Sequence, residues 1–420
     1  MAGGVRRRRE WRPAGRGGPG SRLALGAARP WYRGPPPGGP FFRQSSVIPA
    51  IYEWIVANGL GGYAHGAIDG PPSRRYHGVL IAALPEGRKM ILNRLDDGIS
   101  GLQEFRRERG LPVWRYPAAK RRIAMLRGRN ATVVSWRARE RMTVTVRPWF
   151  QFRAHGGAVD LPAPDLSAAV DGRRCTVGIA HLTASAGEWR TIDPRTERVR
   201  YETERQLGYD CEGPLTCPCE LTLKLQAREE AHLAIALEPI DPRAALNGEL
   251  ARRERLTEEQ IATELFLTDK PAIVAGYPWF TDWGRDTFIS LEGLCLRTGR
   301  SEQAARILRR YGGYVRDGLV PNHFPEGSQE AVYNTADASL WFFHAVDRYT
   351  TLTGDGSVLR ELLPVLKEIV EKHLNGTRFG IGVDPRDGLL TQGEPGLLLT
   401  WMDAKVGDKV VTPRRGKAVE

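Results

Sequence analysis

The chain has 420 residues, 41% of them hydrophobic, enough for two or three domains with ordinary cores. No apolar run nears the roughly 18 residues of a membrane span, stretches such as VLIAAL (79–84) being among the longest, so no membrane partner is expected. The net charge of +12 looks like a nucleic-acid signal, but ten Arg and one Glu in residues 1–45 supply +9 of it and leave +3 elsewhere; no nucleic-acid partner is expected either.

Residues 1–45 also hold ten Gly and seven Pro. Such a segment cannot bury a core and is expected to be disordered. Its RRRRE and RLALGAAR stretches are too short and interrupted for an export signal.

Residues 46–245 read as an antiparallel β-sandwich. YHGVLIAAL, KMILNRLDDG, NATVVSW, MTVTVRPWFQF, CTVGIAHLTA and CELTLKLQA are rich in β-branched and aromatic residues, with turn residues between them. The five cysteines, at 175, 211, 217, 219 and 295, lack the spacing of a zinc site. A sparse, odd set fits a reducing compartment, so the cytoplasm is the default. The charged, helix-prone stretch 246–267 reads as a linker.

From residue 268 the pattern changes to helix pairs. One helix starts near Asp286 and uses Phe288, Leu291, Leu294 and Cys295. A second starts at Ser301 and runs through Ala304, Ile307, Leu308, Tyr311 and Val315. A third is capped by Thr335 and ends at Gly354, and a fourth opens at Ser357 and closes at Gly376 with Pro364 inside it. Helices apolar nearly all round alternate with amphipathic ones, which describes part of an α/α barrel with inner and outer rings.

Three irregular segments then fall on one rim: GYPWFTDWGRD (276–286), NHFPEGSQEAVYN (322–334) and GEPGLLLTWMDAKVGD (393–408). They offer Trp279, Phe280, Trp283, Tyr333 and Trp401 beside Asp282, Arg285, Asp286, Glu326, Asp337 and Asp403. Aromatic plates suit the C–H faces of sugar rings, and fixed Arg and Asp suit the hydroxyls. No Cys/His set at the rim suggests a metal. NGLGGY (58–63) does not fit a dinucleotide fingerprint, so no cofactor is expected. Carboxylates among aromatics point to glycosidic chemistry.

Each acid also has a plainer reading. Asp286 suits a helix cap, Asp337 a first-turn dipole partner, Glu326 a solvated turn and Asp403 a surface carboxylate. The apolar GLLLT before Asp403 favours a desolvated acid, as a proton donor requires.

AGYPWFTDWGRDTFISLEGL, YNTADASLWFFHAV and the stretch from VDPRDGLLTQ to GKAVE resemble the catalytic domain of the glycogen debranching enzyme family, the amylo-α-1,6-glucosidases. EWIVANGLGGYAHGAIDGPPSRRYHGVLIAAL (53–84) is similar to the N-terminal domain of its bacterial and archaeal members. The resemblance covers residues 48–420 almost continuously. It implies an N-terminal β-sandwich, an (α/α)6 barrel (268–420 its first part) and inverting hydrolysis of α-1,6 branch linkages in glycogen or a related α-glucan. It makes Asp403 of TWMD the general acid. Arg285 and Asp286 of WGRD would hold the sugar hydroxyls, with Trp283 lining the pocket.

The family supplies its general base from near its own C-terminus, and four of twelve expected helices fall within these 420 residues. The chain is therefore expected to be a C-terminally truncated fragment, inactive alone. A non-catalytic carbohydrate-binding fragment and an α-glucan transglycosylase are the competing readings.

Overall fold

A computed structural model describes residues 52–328, 330–406, 409–412 and 414–417; the Arg/Gly/Pro-rich segment expected to be disordered lies outside them. The β region forms two antiparallel sheets. The seven-stranded sheet begins with β1 (Glu53–Ala57), β2 (Tyr63–Ala67), β3 (Gly78–Leu84) and β4 (Gly87–Asp96), and continues through strands Met142–Ala154, Glu212–Leu225 and Glu188–Arg200. The other sheet has eight strands, from Ala168–Asp171 at one edge to Glu104–Glu108 at the other. Their inner faces share one core, in which Leu80, Leu92, Trp114, Val134, Trp136, Leu221 and Leu233 are buried. The buried indoles are satisfied: Trp114 Nε1 donates to the Ile68 carbonyl at 2.7 Å and Trp136 Nε1 to Asp97 Oδ2 at 2.8 Å.

Three strands differ from the pattern expected of them. CTVGIAHLTA is a hairpin, Arg174–Val177 and Ala180–Ala184, turned at Gly178 with φ 55°. The strand around CELTLKLQA starts seven residues earlier, at Glu212. Glu188–Arg200 was unmarked by any apolar alternation because it is a largely exposed edge strand.

The helix-prone 246–267 stretch is helical, in two pieces. Besides α1 (Glu202–Gln206), α2 (Pro242–Glu254) is capped by Asp241, whose side chain accepts from Ala244 N–H at 2.9 Å; Leu246 is buried in the sandwich core. After a break, Thr257 and Gln260 form a capping box that opens α3 (Glu258–Thr263).

Then come α4 (Gly284–Leu291), which runs on as a π-helical turn to Leu296, α5 (Ser301–Gly312), α6 (Asp337–Thr353) and α7 (Ser357–Asn375). The N-cap of α6 is Ala336 and not Thr335, which stands one residue earlier, although the Thr335 hydroxyl does accept from Ala338 N–H in the first turn at 3.2 Å. Gly354 closes α6 at φ 71°, and α7 continues through Pro364. α5 stops three residues before Val315. α6 packs on α4, α5 and α7 around Phe288, Leu291, Tyr311, Phe342 and Leu366. Four helices do not define a barrel by themselves. Among the described residues, no helix is long and apolar enough to cross a membrane.

Candidate functional site

The three rim segments meet at the start of α4. Backbone bridges join Val274 to Asp282, Trp283 to His323 and His323 to Val332, and Gly284 N–H donates to the Asn322 carbonyl at 2.7 Å. A Cβ at Gly284 would stand 2.2 Å from the Pro321 carbonyl oxygen, so the glycine of WGRD permits this close crossing. The third segment joins through Ala336 N–H, which donates to the Leu399 carbonyl at 2.7 Å; Leu399 is buried with Tyr333 and Ile381.

Arg285 and Asp337 sit in the first turns of α4 and α6. Arg285 Nε donates to Asp337 Oδ2 at 2.7 Å, and the Thr335 hydroxyl donates to Asp337 Oδ1 at 2.8 Å. Both oxygens of Asp337 are thereby engaged, and both ionic side chains are about nine-tenths buried, each 10% exposed.

Asp286, on the same turn, is exposed and not the N-cap, which is Trp283. Its carboxyl is raised above the ordinary range, first by desolvation. Arg285 opposes that shift, and Asp337 and Asp403 add to it by like-charge repulsion. Solvent access moderates the effect.

Asp403 itself is exposed, so the desolvated setting expected from GLLLT is corrected. Leu399 turns inward, while Trp401, 53% exposed, and Asp403 face solvent. The Thr412 hydroxyl pins their turn, accepting from Ala404 N–H at 3.0 Å and donating to the Met402 carbonyl at 3.1 Å.

Trp279 and Phe280 are about half exposed, whereas Trp283 stacks on His323 at 4.7 Å and 27°. Asp282 is paired with Arg310 at 2.6 Å.

Glu326 does not join this group. The β3–β4 hairpin brings Arg88 to it: Arg88 Nε bonds Glu326 Oε1, Arg88 N–H donates to Oε2 at 3.3 Å, and Arg88 Nη1 donates to the Pro278 carbonyl at 2.9 Å. The hairpin tip packs so close that a Cβ on Gly327 would meet the Glu86 carbonyl oxygen at 2.5 Å. Sequence reasoning missed Arg88, since nothing local links it to a residue 238 positions away.

One group among the described residues has metal-ligand spacing: Glu53, His65 and His77, with candidate ligand atoms within 4.8 Å of one another. Its hydrogen bonding suits a proton-sharing network better. Ser73 N–H donates to His77 Nδ1 at 3.2 Å, so the proton of neutral His77 is on Nε2, 3.1 Å from Glu53 Oε1. A metal needs that lone pair free. Arg74 Nε already occupies the same Glu53 oxygen at 2.7 Å.

The arrangement thus combines exposed aromatic faces with a fixed guanidinium and two solvent-facing carboxylates, Asp286 and Asp403. Two family descriptions match the chain: Amylo-alpha-1,6-glucosidase over residues 256–420, and Glycogen debranching enzyme N terminal over 52–101 and 96–232. The chain belongs to the glycogen debranching enzyme family. It is 29% identical over 209 residues to the glycogen debranching enzyme of Saccharomyces cerevisiae, a match that covers 36% of this chain and 14% of that protein. Likeness to solved structures is weak. A bacterial glucoamylase complexed with acarbose gives a TM-score of 0.45 at 11% identity over 81% of this chain and 59% of that one. A GH92 inverting mannosidase from Bacteroides thetaiotaomicron gives 0.23 at 11% over 80% and 61%.

Proposed function

We propose that this site binds and protonates an α-1,6 branch linkage of glycogen or a related α-glucan, as part of an amylo-α-1,6-glucosidase. The observation that carries the reading is the Arg285–Asp337 pair at 2.7 Å with exposed Asp286 on the same turn of α4, the segment that bears Trp401 and Asp403 being tied to the start of α6 through Leu399. A proton donor thus adjoins a sugar grip. Arg285, its Nε locked by Asp337, offers its remaining N–H groups to glucosyl hydroxyls, and Asp286 accepts from them. Trp283 and Trp401 supply apolar faces. Asp403 gives its proton to the leaving oxygen, and a bound glucan would itself exclude the water now around it.

Inversion requires a second carboxylate about 6.5–9.5 Å from the acid, and no described residue is assigned that part. The four helices fit the beginning of an (α/α)6 barrel, with the rim at its mouth. Glu326 holds the two regions together and does not touch sugar in this reading.

A second reading, a binding module without turnover, is favoured by the commitment of Asp282, Asp337 and Glu326 to arginines. Calorimetric titration of this chain with an α-1,6-branched dextrin tests the binding that both readings share, and proton NMR of the reaction in a chain that also carries a general base separates the two. Binding with release of β-glucose supports the hydrolase, and binding without release supports the module. Absence of binding contradicts both.

A further inference from the structure

We propose that the β-sandwich domain contributes a glucan subsite of its own, in which Arg74 and Tyr76 join Trp279 to hold a second glucosyl unit; this rests on reading the rim as an α-glucan site. Trp279 belongs to the rim segment and is 52% exposed. Two residues from the turn between β2 and β3 meet its ring. The Arg74 guanidinium carbon lies 5.6 Å from the ring centroid, and Tyr76 meets the ring edge-on at 6.5 Å and 76°. An exposed tryptophan braced from one side leaves its other surface for a ligand, and a braced cation beside it supplies directed N–H groups.

Arg74 is built to stay in place. Its Nε donates to Glu53 Oε1 at 2.7 Å, and Glu53 also meets His77 Nε2 at 3.1 Å and His65 Nε2 at 3.4 Å. That network holds the Glu53 carboxyl well below its ordinary range despite its partial burial. The turn is fixed as well: Ser73 N–H donates to His77 Nδ1, Thr203 N–H to the Ser73 carbonyl at 2.9 Å, and Asn93 Nδ2 to the His77 carbonyl at 2.9 Å. Arg74 keeps 22% of its side chain exposed, and among the described residues that side chain hydrogen-bonds through Nε alone.

The Trp279 side is anchored too, by Arg88 donating to the carbonyl of Pro278. Both halves are therefore ordered before a ligand arrives, which removes much of the entropic cost of binding. Glu53 neutralises Arg74, so the pair suits a neutral polyol better than an anion. An apolar plate with fixed donors at its side fits a glucosyl ring.

The test uses the 420-residue chain, titrated with maltose and with maltoheptaose. Arg74→Ala is expected to weaken maltoheptaose about tenfold, the loss of one charge-assisted hydrogen bond, and maltose less than twofold. Trp279→Ala is expected to do the same. If Arg74→Ala fails to fold, Arg74→Gln, which can still donate to Glu53, carries the same expectation. Parent-like maltoheptaose affinity in the Arg74 variant, with a loss in Trp279→Ala, overturns the subsite and leaves the Arg285 site standing. Equal losses for both sugars show a merely structural role and overturn it. No binding of either sugar by the unsubstituted chain overturns both the subsite and the reading beneath it.

Discussion

Arg285 and Asp337 are 52 residues apart in sequence, yet they form a near-buried ion pair at 2.7 Å across the first turns of two packed helices. The pair fixes α4 against α6 at the edge of the site and aims the guanidinium. Asp337→Ala strands a buried charge, and we expect it to cost about 3 kcal/mol of stability. Urea unfolding that shows a loss under about 1 kcal/mol would contradict this.

Glu326 gives the opposite expectation to the one its sequence neighbourhood suggests. Both its oxygens meet Arg88 of the β domain, so Glu326→Gln is expected to lower the unfolding temperature and speed proteolysis near residues 325–330. Affinity for α-glucan should change less than threefold. A large affinity loss with unchanged stability would return Glu326 to the sugar.

Stability should fall on mild acidification. Burial holds His77 at about 4 and His155 at about 2, below the ordinary 6.5. His77 faces Glu53, His65 and Arg74, and His155 faces Tyr63, Tyr76 and the cations Arg75, Arg88 and Arg153. Between pH 6.5 and 4 the unfolded chain binds these protons and the folded chain resists them. The stabilisation is complete above about 6.5 and declines as pH falls, by on the order of 3 kcal/mol for His77. His77→Gln should flatten that slope in urea midpoints taken at pH 7, 5.5 and 4.5. An unaltered slope would refute the assignment.

The helices are legible because their signals are local: Thr335 bonds the first turn of α6, Gly354 and Gly376 close, and the apolar positions of α5 recur with helical period. The meeting of the rim segments followed from helix order. What stayed hidden depends on contacts distant in sequence. Arg88 reaches Glu326, Arg74 reaches Trp279, and Leu246 draws α2 into the sandwich core. The apolar GLLLT stretch does not desolvate Asp403, because Leu399 turns inward and leaves Trp401 and Asp403 facing solvent. The Glu188–Arg200 strand had no pattern to read, since an edge strand with solvent on most of its residues needs none.

In a chain that turns over branched dextrin, Asp403→Asn should lower kcat about a thousandfold while sparing affinity, because it removes the proton and nearly keeps the shape. A near-normal rate would rule Asp403 out as the acid.

The central claim, that the rim around Arg285 and Asp286 grips an α-glucan, is tested most directly by calorimetric titration of the 420-residue chain with an α-1,6-branched oligosaccharide. We expect saturable binding that Arg285→Ala or Asp286→Ala weakens at least tenfold and Asp403→Asn leaves within about threefold. Undetectable binding by the unsubstituted chain, or equal affinity with Arg285 and Asp286 removed, would contradict the account.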